Sequence, residues 1–169
     1  MTKVADGRIR FLITGGTIDK EYDAQSGNLV FSRTRLGDIL TLARCRAEFV
    51  VEVVMLKDSL DMTMEDRLLI RERCLAAPES RIVITHGTDT MADTARVLGP
   101  AVTGKAVALV GAMIPYSFVH SDAGFNLGCA VTAVQCLPPG VYVTMNGRIF
   151  TWDNVRKNRE IGEFGKLKE

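Results

Sequence analysis

The chain has 169 residues, 47% of them hydrophobic and 24% charged, with a formal net charge of +1. That length suits one domain, 1–169, with a sizeable core, and the composition excludes a disordered chain. Near-neutral charge and the lack of any apolar run of transmembrane length exclude nucleic acid and membrane as expected partners.

Met1 to Arg10 carries three basic residues, and Phe11-Leu12-Ile13 is too short for a secretory apolar region. Arg8 to Ile13 predicts a first strand. Thr14-Gly15-Gly16-Thr17-Ile18 ends it, and its two glycines permit a tight turn and close backbone approach by a ligand. Asp19 to Ser26 is polar and reads as an exposed loop whose only aromatic residue is Tyr22. Asn28 to Ser32 reads as a short returning strand. Thr34 to Ala43 places Leu36, Ile39, Leu40 and Ala43 at helical spacing. Phe49 to Leu56 is β-rich and mostly apolar, as a strand buried on both faces would be, and it stops at Lys57-Asp58-Ser59.

Thr63 with Asp66 resembles a capping box that opens a helix to about Ala77, before Pro78. Arg81 to Ile84 predicts a strand, followed by the turn Thr85-His86-Gly87-Thr88-Asp89-Thr90. A helix with Met91, Ala95 and Leu98 on one face follows and stops at Gly99-Pro100. Ala106 to Val110 is another buried strand, and Met113 to His120 an irregular loop. Ser121 or Asp122 would cap a helix to Gln135, ended by Pro138-Pro139. Val141 to Met145 is a strand, and Asn146-Gly147 predicts a turn that lets Arg148-Ile149-Phe150 pair back. The sequence from Asp153 onward is basic and polar. Cys45, Cys74, Cys129 and Cys136 lack metal-type spacing, so buried thiols and a reducing, cytoplasmic setting are expected.

Strands alternate with helices, which predicts an α/β fold: a mainly parallel sheet with helices on both faces, a three-layer sandwich. Ligands bind beyond the carboxyl ends of such strands. Hydroxyls and carboxylates gather there, at Thr14 to Thr17, Asp58-Ser59, Thr85 to Thr90, Gly111 to Met113 and Met145-Asn146. The chain lacks Gly-x-Gly-x-x-Gly after its first strand and has no Gly-x-x-x-x-Gly-Lys, so no dinucleotide or ATP cofactor is expected. His86 with Asp89 and Asp93 makes a poor metal site, so no metal is expected and His86 reads as structural.

The remaining chemistry is a hydroxyl nucleophile, with Thr17 and Thr88 best placed. A threonine hydroxyl is weak until a base takes its proton. Tyr22, Lys157 and, through a relay, Asp89 are the candidates. The plainer readings are that Thr88 or Thr90 caps a helix, Tyr22 is a loop aromatic and Lys157 is a solvated charge.

Thr14-Gly15-Gly16-Thr17-Ile18 and His86-Gly87-Thr88-Asp89-Thr90-Met91 resemble the two signature motifs of bacterial-type L-asparaginases and glutaminase-asparaginases. Ser59-Leu60-Asp61-Met62 resembles the family's Ser-Gln-Asp-Met, and Gly111 to Pro115 its Gly-Ala-Met-Arg-Pro. Ser121-Asp122, Phe125-Asn126-Leu127 and Met145-Asn146 fit its next segments, and Lys157 falls at the spacing of the family's lysine.

The resemblance implies that Thr17 attacks the side-chain amide of L-asparagine and forms a β-aspartyl ester, with Tyr22 helping to take its proton. It implies that Thr88, Asp89 and Lys157 handle protons, that Ser59 binds the α-carboxylate and Asp89 the α-ammonium, that backbone at Thr88 and near Ala112 faces the amide, and that Gly16 is among the substrate-binding residues. Leu60 replaces the family's Gln, and Tyr22 follows Thr17 more closely than in long-chain members. Those members carry a second domain, so this chain resembles a short-chain form or a domain on its own, with a homo-oligomer expected to cover part of the exposed edge. A binding module without turnover, or an amidase for glutamine or another small amide, stands beside this reading.

Overall fold

Residues 7–168 are described by a computed structural model; the reading of Met1 to Asp6 lies outside them. In chain order the elements are β1 (Ile9–Gly15), β2 (Lys20–Asp23), β3 (Asn28–Phe31), α1 (Leu36–Leu42), β4 (Phe49–Lys57), α2 (Met64–Ala76), β5 (Arg81–Thr85), α3 (Met91–Leu98), β6 (Ala106–Val110), α4 (Ala123–Cys136), β7 (Gly140–Met145), β8 (Arg148–Thr151), β9 (Arg156–Asn158) and β10 (Glu163–Gly165). The main sheet runs β4-β1-β5-β6-β7-β8. Its first five strands in that order are parallel, and β8 returns antiparallel to β7. Asn146 and Gly147 make that return with φ of 52° and 77°, the positive pair that a two-residue hairpin turn needs.

Successive strand residues point to opposite faces, so the apolar runs supply two cores. Leu12, Ile82, Ile84 and Leu109 pack against Ile70 and Cys74 of α2 and Met91, Ala95 and Leu98 of α3. Phe11, Ile13, Val83 and Ala108 pack with Leu36, Ile39 and Leu40 of α1 and Leu127, Ala130 and Val134 of α4. The predicted α/β architecture is therefore present, with helices on both faces. The predicted capping box is also present: Thr63 Oγ1 accepts from Asp66 N while the Asp66 carboxylate accepts from Thr63 N. No helix among the described residues is long and apolar enough to cross a membrane.

Some readings are corrected. β4 is an edge strand rather than one buried on both faces, with Val51 and Val53 at 44% and 54% exposure; an end strand has one lateral neighbour and less cover. Lys20–Asp23, within the expected loop, pairs with β3 as a hairpin. The basic tail forms a second hairpin, β9–β10. Polar two-stranded ribbons lack the apolar alternation that marks a half-buried strand. Of the two capping candidates for α4, Ser121 Oγ accepts from Ala123 N at 3.1 Å, whereas Asp122 makes no side-chain cap bond and accepts from Met113 N and Ile114 N. Of the cysteines only Cys74 is fully buried, and Cys136 is exposed.

Candidate active site

Three turns meet at the carboxyl edge of the sheet because glycines let them. Gly15 ends β1 and Gly16 follows it, with φ of 97° and 83°, a region that disfavours residues with a Cβ. A Cβ on Gly16 would lie 2.3 Å from Gly87 N, and one on Gly87 would lie 2.6 Å from Ser59 Oγ. The backbones after β1, β4 and β5 therefore touch, which brings the Thr17, Ser59 and Thr88 turns together. Gly16 N also donates to Lys57 O at 2.9 Å. A Cβ on Gly111 would lie 2.4 Å from His86 O and 3.2 Å from Thr88 Cγ2, so the turn carrying buried Ala112 closes against the same cluster.

Two sets of polar contacts stand out. The first joins Thr88, Asp89 and Lys157. Lys157, delivered by β9, donates to Thr88 Oγ1 at 2.7 Å and to Asp89 Oδ1 at 2.8 Å. The lysine side chain is only 9% exposed and Asp89 34%, so the pair has a dry end and a solvent end. Arg159 also reaches Asp89, with Nε 4.0 Å from Oδ1. Lys157 is thus not a solvated tail charge.

The second set anchors Ser59. Its Oγ accepts from Thr90 N at 3.3 Å, and Thr90 Oγ1 donates to Ser59 O at 2.7 Å. Thr90 occupies the cap position of α3, yet its side chain makes no cap hydrogen bond; it ties the Ser59 turn to the Thr88 turn instead. Thr17 opens a 3-10 turn, Thr17–Asp19, closed by Lys20 N donating to Thr17 O. Tyr22 lies on β2 and is 60% exposed. Among the described residues no side-chain hydrogen bond joins Thr17 or Tyr22 to each other or to the Lys157 cluster. Thr17, Ser59, Thr88, Asp89, Lys157, Gly16 and Ala112 thus gather at one edge, whereas Tyr22 stands at the solvent side of the hairpin.

His86 is wholly buried, as the structural reading expects. Its Nδ1 is 2.7 Å from Gly87 O, and its Nε2 is 2.8 Å from Thr94 Oγ1. A carbonyl only accepts, so the neutral ring donates from Nδ1 and accepts from the Thr94 hydroxyl at Nε2. Burial pushes the ring from 6.5 down to about 4, against the Gly87 carbonyl and the Asp93 charge, which act upward. A depressed folded value leaves this contribution complete above about pH 6.5 and removes it as pH falls through 4. Urea titrations should therefore show a loss of about 3 kcal/mol across that window, and His86→Gln should lack that component.

Residues that the sequence reading leaves in the background support the site. Asn126 Nδ2 donates to Gly111 O and to Asp122 Oδ2, while its Oδ1 accepts from Asn146 N. One buried amide thus holds the loop after β6 against the turn after β7. Lys20 pairs with Asp58, and Asp58 Oδ1 accepts from Leu60 N. Asp19 is buried, and its Oδ1 accepts from Thr34 Oγ1 and Arg35 N. Burial pushes its carboxyl up against those bonds and the Arg35 charge. The Lys20–Asp58 pair leaves no periodic signal; only the placement of β4 beside β1 makes the two neighbours.

Comparison with known proteins agrees with this geometry. The family model for "Asparaginase, N-terminal" matches residues 8–161. The L-asparaginase of Thermococcus kodakarensis is 32% identical over 163 residues, covering 92% of this chain and 49% of that protein. A component of the glutamyl-tRNA(Gln) amidotransferase of Methanococcus vannielii is 34% identical over 151 residues, covering 83% of this chain and 34% of that component. The crystal structure of the thermostable Thermococcus kodakarensis L-asparaginase superposes with a TM-score of 0.80 at 31% identity, covering 96% of this chain and 52% of that one. The chain spans about half the length, or less, of these relatives. The chain belongs to the asparaginase family, over the stretch that forms that family's N-terminal domain.

Proposed function

We propose that the protein is an amidohydrolase that converts L-asparagine to L-aspartate and ammonia through a threonine ester. The observation that carries this reading is Lys157 donating at once to Thr88 Oγ1 and Asp89 Oδ1, beside the turns of Thr17 and Ser59, in a chain of the asparaginase family. A binding module has no use for a nearly buried lysine aimed at a hydroxyl.

In this reading Ser59 receives the α-carboxylate and Asp89 the α-ammonium, so opposite charges orient the two ends of the amino acid. The Thr17 oxygen attacks the side-chain amide carbon, and the C=O electrons move onto oxygen. Backbone at Thr88 and near Ala112 supplies the fixed donors for the developing charge in this reading, with Gly16 in the wall of the substrate site. Tyr22 takes part in removing the Thr17 proton once substrate is present; catalytic hydrogen bonds often tighten only in the substrate complex. The C–N bond breaks, the nitrogen gains a proton through Thr88 and Lys157, and ammonia leaves. Water then adds to the ester, L-aspartate departs, and Thr17 recovers its proton. No cofactor enters any step.

The relative in the amidotransferase family supports a second reading, an amidase whose preferred amide is not asparagine. One methylene separates asparagine from glutamine, a difference that binding resolves only modestly. Association into a homo-oligomer belongs to the first reading, since Asp89 and Arg159 lie open to solvent at 34% and 62% exposure. So does a reducing, cytoplasmic setting, which the four unpaired thiols support.

The test is ammonia and aspartate release from L-asparagine, run beside ammonia and glutamate release from L-glutamine. Equimolar ammonia and aspartate are expected. Faster glutamate release would move the assignment to the second reading. L-Aspartate binding without release from either amide would overturn both and leave a binding module.

A further inference from the structure

We propose that the Lys20–Asp58 ion pair is a positioning strut that holds the nucleophile turn at a fixed distance from the carboxylate-binding turn. This rests on the reading of Thr17 and Ser59 given above. Lys20 and Asp58 are positioning residues, and neither touches the reacting atoms.

The covalent path of the strut is short at both ends. Lys20 N donates to Thr17 O and closes the 3-10 turn that Thr17 opens. Its ammonium crosses to Asp58 Oδ2. Asp58 Oδ1 accepts from Leu60 N at 3.0 Å and so caps the turn that begins at Ser59. Ser59 is fixed in turn to Thr90. One ion pair therefore links the residue that meets the amide carbon to the residue that meets the carboxylate.

The strut works where the sheet no longer does. The last backbone link between the two turns is Gly16 N to Lys57 O, and Thr17 lies beyond it. The side chains of Lys20 and Asp58 are only 17% and 29% exposed, so solvent screens the pair incompletely. The loop after β6 supports Lys20 from another side, with Ser117 Oγ donating to Lys20 O at 3.0 Å.

Asp58 also belongs to the electrostatics of the site. Partial burial raises its carboxyl, but the Lys20 and Leu60 hydrogen bonds and the charges of Lys20 and Lys157 outweigh burial and hold it below the ordinary range. Lys20 is its ion-pair partner, and Lys157 acts on it through charge alone. Loss of Lys20 would leave Asp58 without that partner. Loss of Asp58 would leave Lys20 unpaired beside the Thr17 turn.

The experiment compares wild type, Lys20→Met, Lys20→Arg and Asp58→Asn by steady-state kinetics, L-aspartate titration and hydrogen exchange. A misplacement of about 1 Å between reacting groups costs up to roughly 10²-fold in rate. For Lys20→Met and Asp58→Asn, kcat should fall by roughly 10- to 100-fold. KM and L-aspartate affinity should stay near wild type, because the Ser59–Thr90 bonds remain. Lys20→Arg, which keeps the ion pair, should recover most of kcat. In Asp58→Asn the Lys20 amide should exchange faster while the amides of Leu12 and Ile84 keep their protection. Unchanged kcat in a folded Lys20→Met, a Lys20→Arg variant as slow as Lys20→Met, or unchanged Lys20 amide exchange in Asp58→Asn would each overturn the strut. A wild type that hydrolyses neither amide would instead remove the reaction assignment, and the exchange measurement would still decide the strut.

Discussion

Thr17→Ala should abolish amide hydrolysis, with kcat falling by at least about 10⁴-fold, while L-aspartate still binds. The size follows from the kind of step lost. A nucleophile splits one difficult displacement into two easier ones, and a neighbouring hydroxyl does not replace it unless its oxygen reaches the same carbon. Thr88 is the nearest chemical substitute, but its Oγ1 already accepts from Lys157, and its side chain is buried against the cluster at 6% exposure. Thr17 is half-buried at the head of its own turn. Binding should survive because the groups assigned to the two ends of the amino acid, Ser59 and Asp89, keep all their partners. Ammonia release gives the rate, and a calorimetric titration with L-aspartate gives the affinity. Intact-mass spectrometry of the acid-quenched reaction should show an aspartyl adduct on wild type and none on the variant. Substantial hydrolysis by Thr17→Ala would mean that another group attacks, and the ester mechanism would be wrong.

The parts of this site that were legible in the sequence share one property: they rest on local chain chemistry. The apolar runs Phe11 to Ile13, Arg81 to Ile84 and Ala106 to Val110 mark buried parallel strands, and the turns at their ends follow from glycine. Thr63 and Asp66 mark a helix start by spacing alone. Thr88, Asp89 and Lys157 stand out singly as candidates, but grouping them required the family resemblance, since 68 residues separate Asp89 from Lys157 and no period connects them. What was not legible depends on which strands become neighbours. Phe49 to Leu56 has the composition of a central strand, yet it terminates the sheet, and composition does not encode lateral order. Lys20 with Asp58, and Asn126 with Gly111, are pairs made by tertiary placement. Thr90 reads as a helix cap because a threonine at that position often is one; the proximity of the Ser59 turn gives its hydroxyl a different acceptor.

Lys157→Met should lower kcat by roughly 10³-fold, within the range that a positioned proton donor or acceptor contributes, without unfolding the protein. The ammonium makes two hydrogen bonds at once, to a neutral hydroxyl and to a carboxylate. Its removal leaves Thr88 without the donor that orients its hydroxyl. Asp89 loses its closest counter-ion but keeps solvent contact and Arg159 at 4.0 Å, so its charge remains compensated and the fold tolerates the change. That asymmetry separates catalysis from stability: the lysine end is nearly buried, the carboxylate end is hydrated. Lys157→Arg should recover little, because a planar guanidinium has a different reach and donor geometry from a compact ammonium. The measurement is kcat and KM for L-asparagine together with a thermal melt. A large fall in kcat with a small change in melting temperature is expected, with KM moved less than kcat. The opposite pattern, unchanged kcat with a raised KM, would reassign Lys157 from proton handling to holding Asp89 for the substrate ammonium. Rescue of kcat by arginine would show that positive charge alone is needed and would remove the proton-transfer role.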